Sequence, residues 1–171
     1  NKPPIAEIKI NEVPVKSTTD DAIANKNLFD YNSNKPILNF DDSYFKNEIT
    51  GTKDKPTIIE FEHTFENEKS YTLDIIRTGK DDKQTIIKNN KIIKDQLLHI
   101  KYIEIDEIDI GALIYEGIYT PIYPEPWTSQ QTKMGNKPPE TIKNSPDLGH
   151  NGRWSLSFSS PFYMWLLENL Y

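Results

Sequence analysis

Apolar and polar residues alternate along this chain in short runs separated by turn-forming residues. In residues 5–15 (IAEIKINEVPV), Ala6, Ile8 and Ile10 face one way and Glu7, Lys9 and Asn11 the other. A period of two marks a half-buried strand. Pro14 cannot donate to a ladder, so this strand ends there or lies at an edge. Residues 57–65 (TIIEFEHTF) put Ile59, Phe61, His63 and Phe65 on one face, and 71–77 (YTLDIIR) do so with Tyr71, Leu73 and Ile75. The short polar link between them predicts an antiparallel hairpin. In TIIKNNKIIK (85–94) two apolar pairs flank Asn89 and Asn90, residues that tolerate positive φ, so a second, smaller hairpin is expected.

A strand over 97–106 has Leu97, Ile103 and Ile105 in phase, but Ile108 and Ile110 fall on the other parity. A bulge or tight turn at Asp106-Glu107 would absorb the slip. The last strand, 153–159, alternates Trp154, Leu156 and Phe158 against Ser155, Ser157 and Ser159, and Pro161 stops it. After it, Phe162, Trp165, Leu166 and Leu170 recur at near-helical spacing, which predicts a short helix. Between these runs lie a weaker strand at 36–45, a long polar loop at 16–35 and a proline- and aromatic-rich loop at 120–146. Seven to nine short strands without a crossover helix argue for an all-β domain spanning 1–171: an antiparallel β-sandwich or jelly roll with a short C-terminal helix.

Composition changes this picture in a few places. A net charge of −6 makes non-specific nucleic-acid binding a poor fit, since that affinity comes from Lys and Arg neutralising phosphates. The lysines of 88–94 read as the solvated face of a strand pair. With no cysteine there are no disulfides and no thiolate metal sites. No apolar run approaches the ~18 residues of a membrane span. The opening NKPPIAEI has no charged segment followed by an apolar one, so no signal peptide is expected.

Candidate chemistry is sparse. His63, on an apolar strand face, reads as a core or rim residue, His99 as a surface residue, and His150 as part of a tight turn, GHNG, with Asn151-Gly152 at positive φ. No nucleotide-binding or hydrolase motif occurs, so no enzyme is expected. Of the many carboxylates, Asp106, Glu107 and Asp109 at the phase slip are the best candidates for Ca²⁺, which takes oxygen ligands; no cofactor is expected otherwise. Tyr115, Tyr119, Tyr123 and Trp127 form a candidate platform for a glycan or a protein partner, since such rings offer flat faces. The alternative is that they cover one open end of the sandwich.

Three runs, KIIKDQLLHIKYIEIDEIDIGALIY (91–115), YTPIYPEPWTSQQ (119–131) and LGHNGRWSLSFSSPFYMWLLENLY (148–171), resemble a family of uncharacterised β-rich structural proteins of marine tailed phages, cyanophages especially. The likeness lies in a strand ending in Ile-Asp, a Pro-Glu-Pro-Trp run, a Gly-His-Asn-Gly-Arg-Trp strand entry, and a Ser-Pro-Phe stop before Trp-Leu-Leu-Glu-Asn. It covers roughly the second half of the chain. Residues 57–79 also resemble that family's strand pair, and are more distantly similar to β-sandwich carbohydrate-binding modules that use Ca²⁺. The resemblance implies a virion protein whose partners are other virion proteins or copies of itself, and it brings no catalytic residues. The carbohydrate-module likeness implies, instead, attachment to a host-surface glycan. Tyr163, Met164, Trp165, Leu167, Leu170 and Tyr171 exceed what one helical face can bury, which makes the tail a candidate assembly surface.

Overall fold

A computed structural model of the protein describes residues 3–14, 29–30, 35–36, 46–81 and 83–170. Its strands are β1 (Ile5–Ile10), β2 (Val13–Pro14), β3 (Phe29–Asp30), β4 (Lys35–Pro36), β5 (Lys46–Glu48), β6 (Ser70–Thr78), β7 (Ile86–Lys88), β8 (Lys91–Lys94), β9 (Leu98–His99), β10 (Glu104–Ile105), β11 (Ile108–Asp109), β12 (Ile118–Ile122), β13 (Ile142–Lys143), β14 (Asp147–Leu148) and β15 (Asn151–Ser159). A 3₁₀ turn spans Gly111–Glu116, and two α-helices follow, α1 (Trp127–Lys133) and α2 (Phe162–Leu170). The chain is mostly β, with antiparallel sheets and a short C-terminal helix.

The main sheet runs β13-β12-β15-β6-β1-β2, with β5 also paired to β1. Its register aligns apolar side chains in rows, which is how a sheet gains packing energy. Trp154 lies between Ile75 and Tyr119, Leu156 opposite Leu73, Phe158 opposite Tyr71, and Ile8 opposite Ile75. This face packs against Leu98, Ile100, Ile110, Leu113, Ile114, Leu148 and Phe162. Pro14 sits at the sheet edge, where its missing N–H costs nothing. The other face mixes polar residues with a few isoleucines, Ile76, Ile118 and Ile122 among them. Asp74, 1% exposed, accepts a hydrogen bond from Ser155 Oγ and pairs with Arg153 at 3.3 Å; Arg153 also pairs with Glu12.

Several expectations are met. The hairpin at 85–94 forms as β7 and β8, with Asn89 and Asn90 at φ 51° and 58°. The phase slip is a tight turn between β10 and β11, with Asp106 and Glu107 at φ 52° and 61°. The helix after Pro161 is α2.

Others are corrected. Residues 57–65 do not pair with β6, because β1 and β15 occupy both edges of that strand. They form no strand and pack against the core instead, with Ile59, Phe61 and Phe65 half-buried. The 97–106 strand is split: β9 pairs with β14, and β10 turns back on β11. The 120–146 loop contains α1 and β13. Asn151 and Gly152 open β15 rather than forming a turn. At Gly152 a side chain would strike the Thr120 carbonyl and the backbone of Pro121, so glycine is required by the close approach of β12. The sheets are small and unclosed. The 16–35 loop and the 36–45 strand lie almost wholly outside the described residues.

Candidate functional site

The first candidate site is at the end of the main sheet where β12 leaves it. Alternation along β12 turns Tyr119 and Pro121 inward and leaves Ile118, Thr120 and Ile122 outside. Past the strand, the Glu125 carboxylate accepts hydrogen bonds from the Ser129 hydroxyl (2.8 Å) and N–H (3.3 Å), and Thr128 donates to the Pro124 carbonyl, so the chain is wound into α1. The Tyr123 hydroxyl donates to the Pro139 carbonyl (2.8 Å) and ties the returning loop down. Tyr123, Trp127 and His150 then form a three-ring cluster. Centroids are 5.6 Å apart for Tyr123–Trp127, 4.9 Å for Tyr123–His150 and 6.1 Å for Trp127–His150. Trp127 is 38% exposed; the other two are half-buried.

Polar anchors hold this cluster from below. The Tyr119 hydroxyl donates to the His150 carbonyl (2.6 Å) and accepts from the His150 N–H (2.9 Å). The Lys80 ammonium pairs with Asp95 at 2.6 Å and donates to the Gly149 carbonyl, while its backbone exchanges two hydrogen bonds with the Asn151 amide. Burial works against charge on Asp95, but hydrogen bonds from Lys80 and Thr85 outweigh it and hold the carboxyl below its usual range. Burial, aided by the Lys80 charge, lowers the pKa of His150 and favours the neutral ring. The exposed side is thus a small aromatic surface on a hydrogen-bonded base. It offers stacking faces and no activated nucleophile.

The second candidate site is a pair of apolar surfaces. Every residue from Ile86 to Asp95 is exposed, including Ile86, Ile87, Ile92 and Ile93. On α2, Phe162 is buried and Trp165 and Leu166 half-buried, while Tyr163, Met164, Leu167 and Leu170 are exposed. Trp165 stacks on Phe162 (5.7 Å) and meets Phe158 edge-on (6.1 Å).

Of the four platform candidates, Tyr123 and Trp127 come together. Tyr119 is 1% exposed and lies beneath them, where it offers no ring face. Tyr115 is exposed on the 3₁₀ turn, outside the three-ring cluster. Of the tail candidates, Trp165 points toward the core and Tyr171 lies outside the described residues. The Ca²⁺ candidates do not converge: Asp106 and Glu107 are the two corner residues of the β10–β11 turn, and Asp109 accepts a hydrogen bond from the Gly111 N–H. Among the described residues no group of three or more His, Asp or Glu side chains is placed to hold a metal ion. No described helix is long and apolar enough to cross a membrane.

No family model, no curated protein and no solved structure matches the chain. Two contributors to these sites lie outside the sequence reading: His150 as a ring partner, and the hairpin isoleucines as an open surface. For His150 the available signal was its place one residue before β15, where a strand entry brings it beside the end of β12. For the hairpin it was the absence of any in-and-out alternation in IIKNNKIIK.

Proposed function

We propose that the protein works by protein–protein assembly, as the structural or decoration component of a virion that the resemblance over 91–171 implies. One observation carries this reading: among the described residues, eight of the eighteen exposed large apolar side chains lie on two short elements, the β7–β8 hairpin and the outer face of α2. Single exposed apolar residues are ordinary, but contiguous sets mark interaction surfaces. The partners are copies of this chain or other virion proteins. The irregular layer over the main sheet, with its two-residue ladders, is in our reading the reduced second sheet of a β-sandwich.

Sedimentation velocity over a wide concentration range tests the reading. The expected result is a mass that rises with concentration, and the protein is expected in purified particles. A strict monomer that is absent from particles overturns it.

The three-ring cluster favours a second reading, in which the protein also binds a host-surface glycan. Aromatic faces stack on sugar rings, and Trp127 is the accessible member. On a glycan array, the wild type is expected to bind and Trp127→Ala to lose at least tenfold in signal. No binding, or binding that Trp127→Ala leaves intact, removes this reading.

A further inference from the structure

We propose that His150 is a proton-operated latch on the three-ring surface: the rings stay together while its imidazole is neutral and separate when it is protonated. The latch stands on the packing around His150; its consequence, release of a bound glycan in mild acid, rests on the glycan reading above.

The chain beneath the ring collects positive charge. Three successive carbonyls, those of Leu148, Gly149 and His150, each accept a hydrogen bond from a side chain: the Arg77 guanidinium, the Lys80 ammonium and the Tyr119 hydroxyl. Two of these donors are cations, and both are fixed. Arg77 is 0% exposed and also holds Gln96, and Lys80 is paired with Asp95. The His150 N–H donates to the Tyr119 hydroxyl, so both backbone groups of the residue are held. Its ring is the part left to move.

No acid steadies a proton on that ring. Among the described residues no carboxylate hydrogen-bonds to either ring nitrogen of His150. Asp95, at the end of β8, is the acid that faces it, and its carboxylate is engaged by Lys80 and Thr85. From β12 and the bend after it come Tyr119 and Tyr123, whose hydroxyl pKa values burial raises. Helix α1 brings Trp127, and Glu125 just before it is turned onto Ser129. An imidazolium here would face two cations and lose water to Tyr123 and Trp127. Burial and then Lys80 lower the His150 pKa, Asp95 opposes them, and Arg77 adds to the lowering. A ring swung out into water takes the proton at the ordinary histidine value. Between the lowered and the ordinary values, each step down in pH therefore favours the swung-out form, which binds the proton that the packed form excludes. Tyr123 then loses its edge-to-face partner at 4.9 Å, and Trp127 its stacked one at 6.1 Å.

The test is a pH titration of the full-length protein by NMR, from mildly alkaline to mildly acid solution. It follows the His150 ring, the Trp127 indole N–H and the ring-to-ring contacts. The expected His150 midpoint lies below the ordinary histidine value. The Trp127 signal is expected to shift with the same midpoint, and the contacts of His150 with Tyr123 and Trp127 to vanish on the acid side. His150→Phe keeps a ring and cannot titrate, so the Trp127 shift is expected to disappear; a shift caused by Glu125 through α1 would remain. Lys80→Met removes one cation and frees Asp95, and is expected to raise the midpoint. Circular dichroism and melting temperature verify both folds, and His150→Phe still decides if Lys80→Met does not fold. A Trp127 signal indifferent to the His150 titration, or one that shifts alike in His150→Phe, overturns the latch. So does a midpoint above the ordinary value, which would mean that the two aromatic faces steady the imidazolium. On the glycan array the wild type is expected to bind at neutral pH and to lose signal severalfold on the acid side; whatever binding His150→Phe shows is expected not to change. Wild-type binding that is equal on both sides of the transition overturns the control of release and leaves the glycan reading standing. No binding at any pH removes the glycan reading, and the NMR titration alone then decides the latch.

Discussion

Replacing Trp154 by alanine is expected to destabilise the fold by about 3–5 kcal/mol, the range for removing a buried large aromatic. Trp154 is 0% exposed and stands mid-sheet, between Ile75 on β6 and Tyr119 on β12. Its ring lies flush against Gly117, where an added Cβ would run into the indole. Gly117 has φ −62° and ψ 145°, an extended conformation open to any residue, so its glycine is required by packing and not by backbone. Gly117→Ala is therefore expected to destabilise strongly in the wild type and much less beside Trp154→Leu, because the two changes share one contact. Urea unfolding followed by far-ultraviolet circular dichroism measures the wild type, the three single variants and the Gly117→Ala/Trp154→Leu double variant. Additive effects, or a loss below about 1 kcal/mol for Trp154→Ala, would show that this contact is not the centre of the sheet.

The parts legible in the sequence are those whose cause is local. Strict alternation places β1 and β15, because a half-buried strand needs only period two. Asn89-Asn90 closes its hairpin because both residues accept positive φ. Pairing is another matter. The pattern of 71–77 says that this strand has an inside, but nothing in it says that its neighbours are residues 5–10 and 151–159 rather than 57–65. The nearest apolar run in sequence is then the natural choice, and it is the wrong one. Helix α1 is illegible for a related reason: seven residues after a Pro-Glu-Pro run show no apolar periodicity, and what starts the helix is a few polar contacts, Ser129 to Glu125 and Thr128 to Pro124.

The candidate sites divide in the same way. Residue type alone points to Tyr123 and Trp127, and both stand past the end of β12, where no sheet face claims them. Residue type points equally to Tyr119, yet it lies within the strand, and strand parity turns it inward opposite Trp154. On α2, composition showed an excess of apolar residues; only the packing of Phe162 and Trp165 against Phe158 decides which of them remain outside. The surface that assembly would use is thus a remainder, fixed by which side the core takes.

The second large effect is expected at Arg77, which continues the inward parity of Tyr71, Leu73 and Ile75 and is 0% exposed. Nη1 donates to the Leu148 carbonyl, and Nη2 donates to the Gln96 carbonyl (2.9 Å) and to its side-chain oxygen (2.8 Å), while the buried Nε has no partner. Burial lowers its pKa from the ordinary arginine value. The fork joins the end of the main sheet to the segments entering β9 and leaving β14, the same segments that carry Lys80's partners and His150. Arg77→Ala removes these donors together with a large buried stem, and about 3–5 kcal/mol of stability should go with them, from unpaired carbonyls at ~1–3 kcal/mol each and a cavity. Arg77→Met restores most of the volume but none of the donors, so it should recover only part of the loss. Arg77→Lys keeps a charge without the planar fork that reaches two chain segments at once, and should fall below the wild type as well. Chemical denaturation gives the three values, and amide hydrogen exchange at His150, whose N–H bonds to Tyr119, reports whether the turn beneath the ring cluster loosens with them. A methionine variant as stable as the wild type, with His150 still protected, would mean that apolar volume rather than the guanidinium fork holds this end of the sheet.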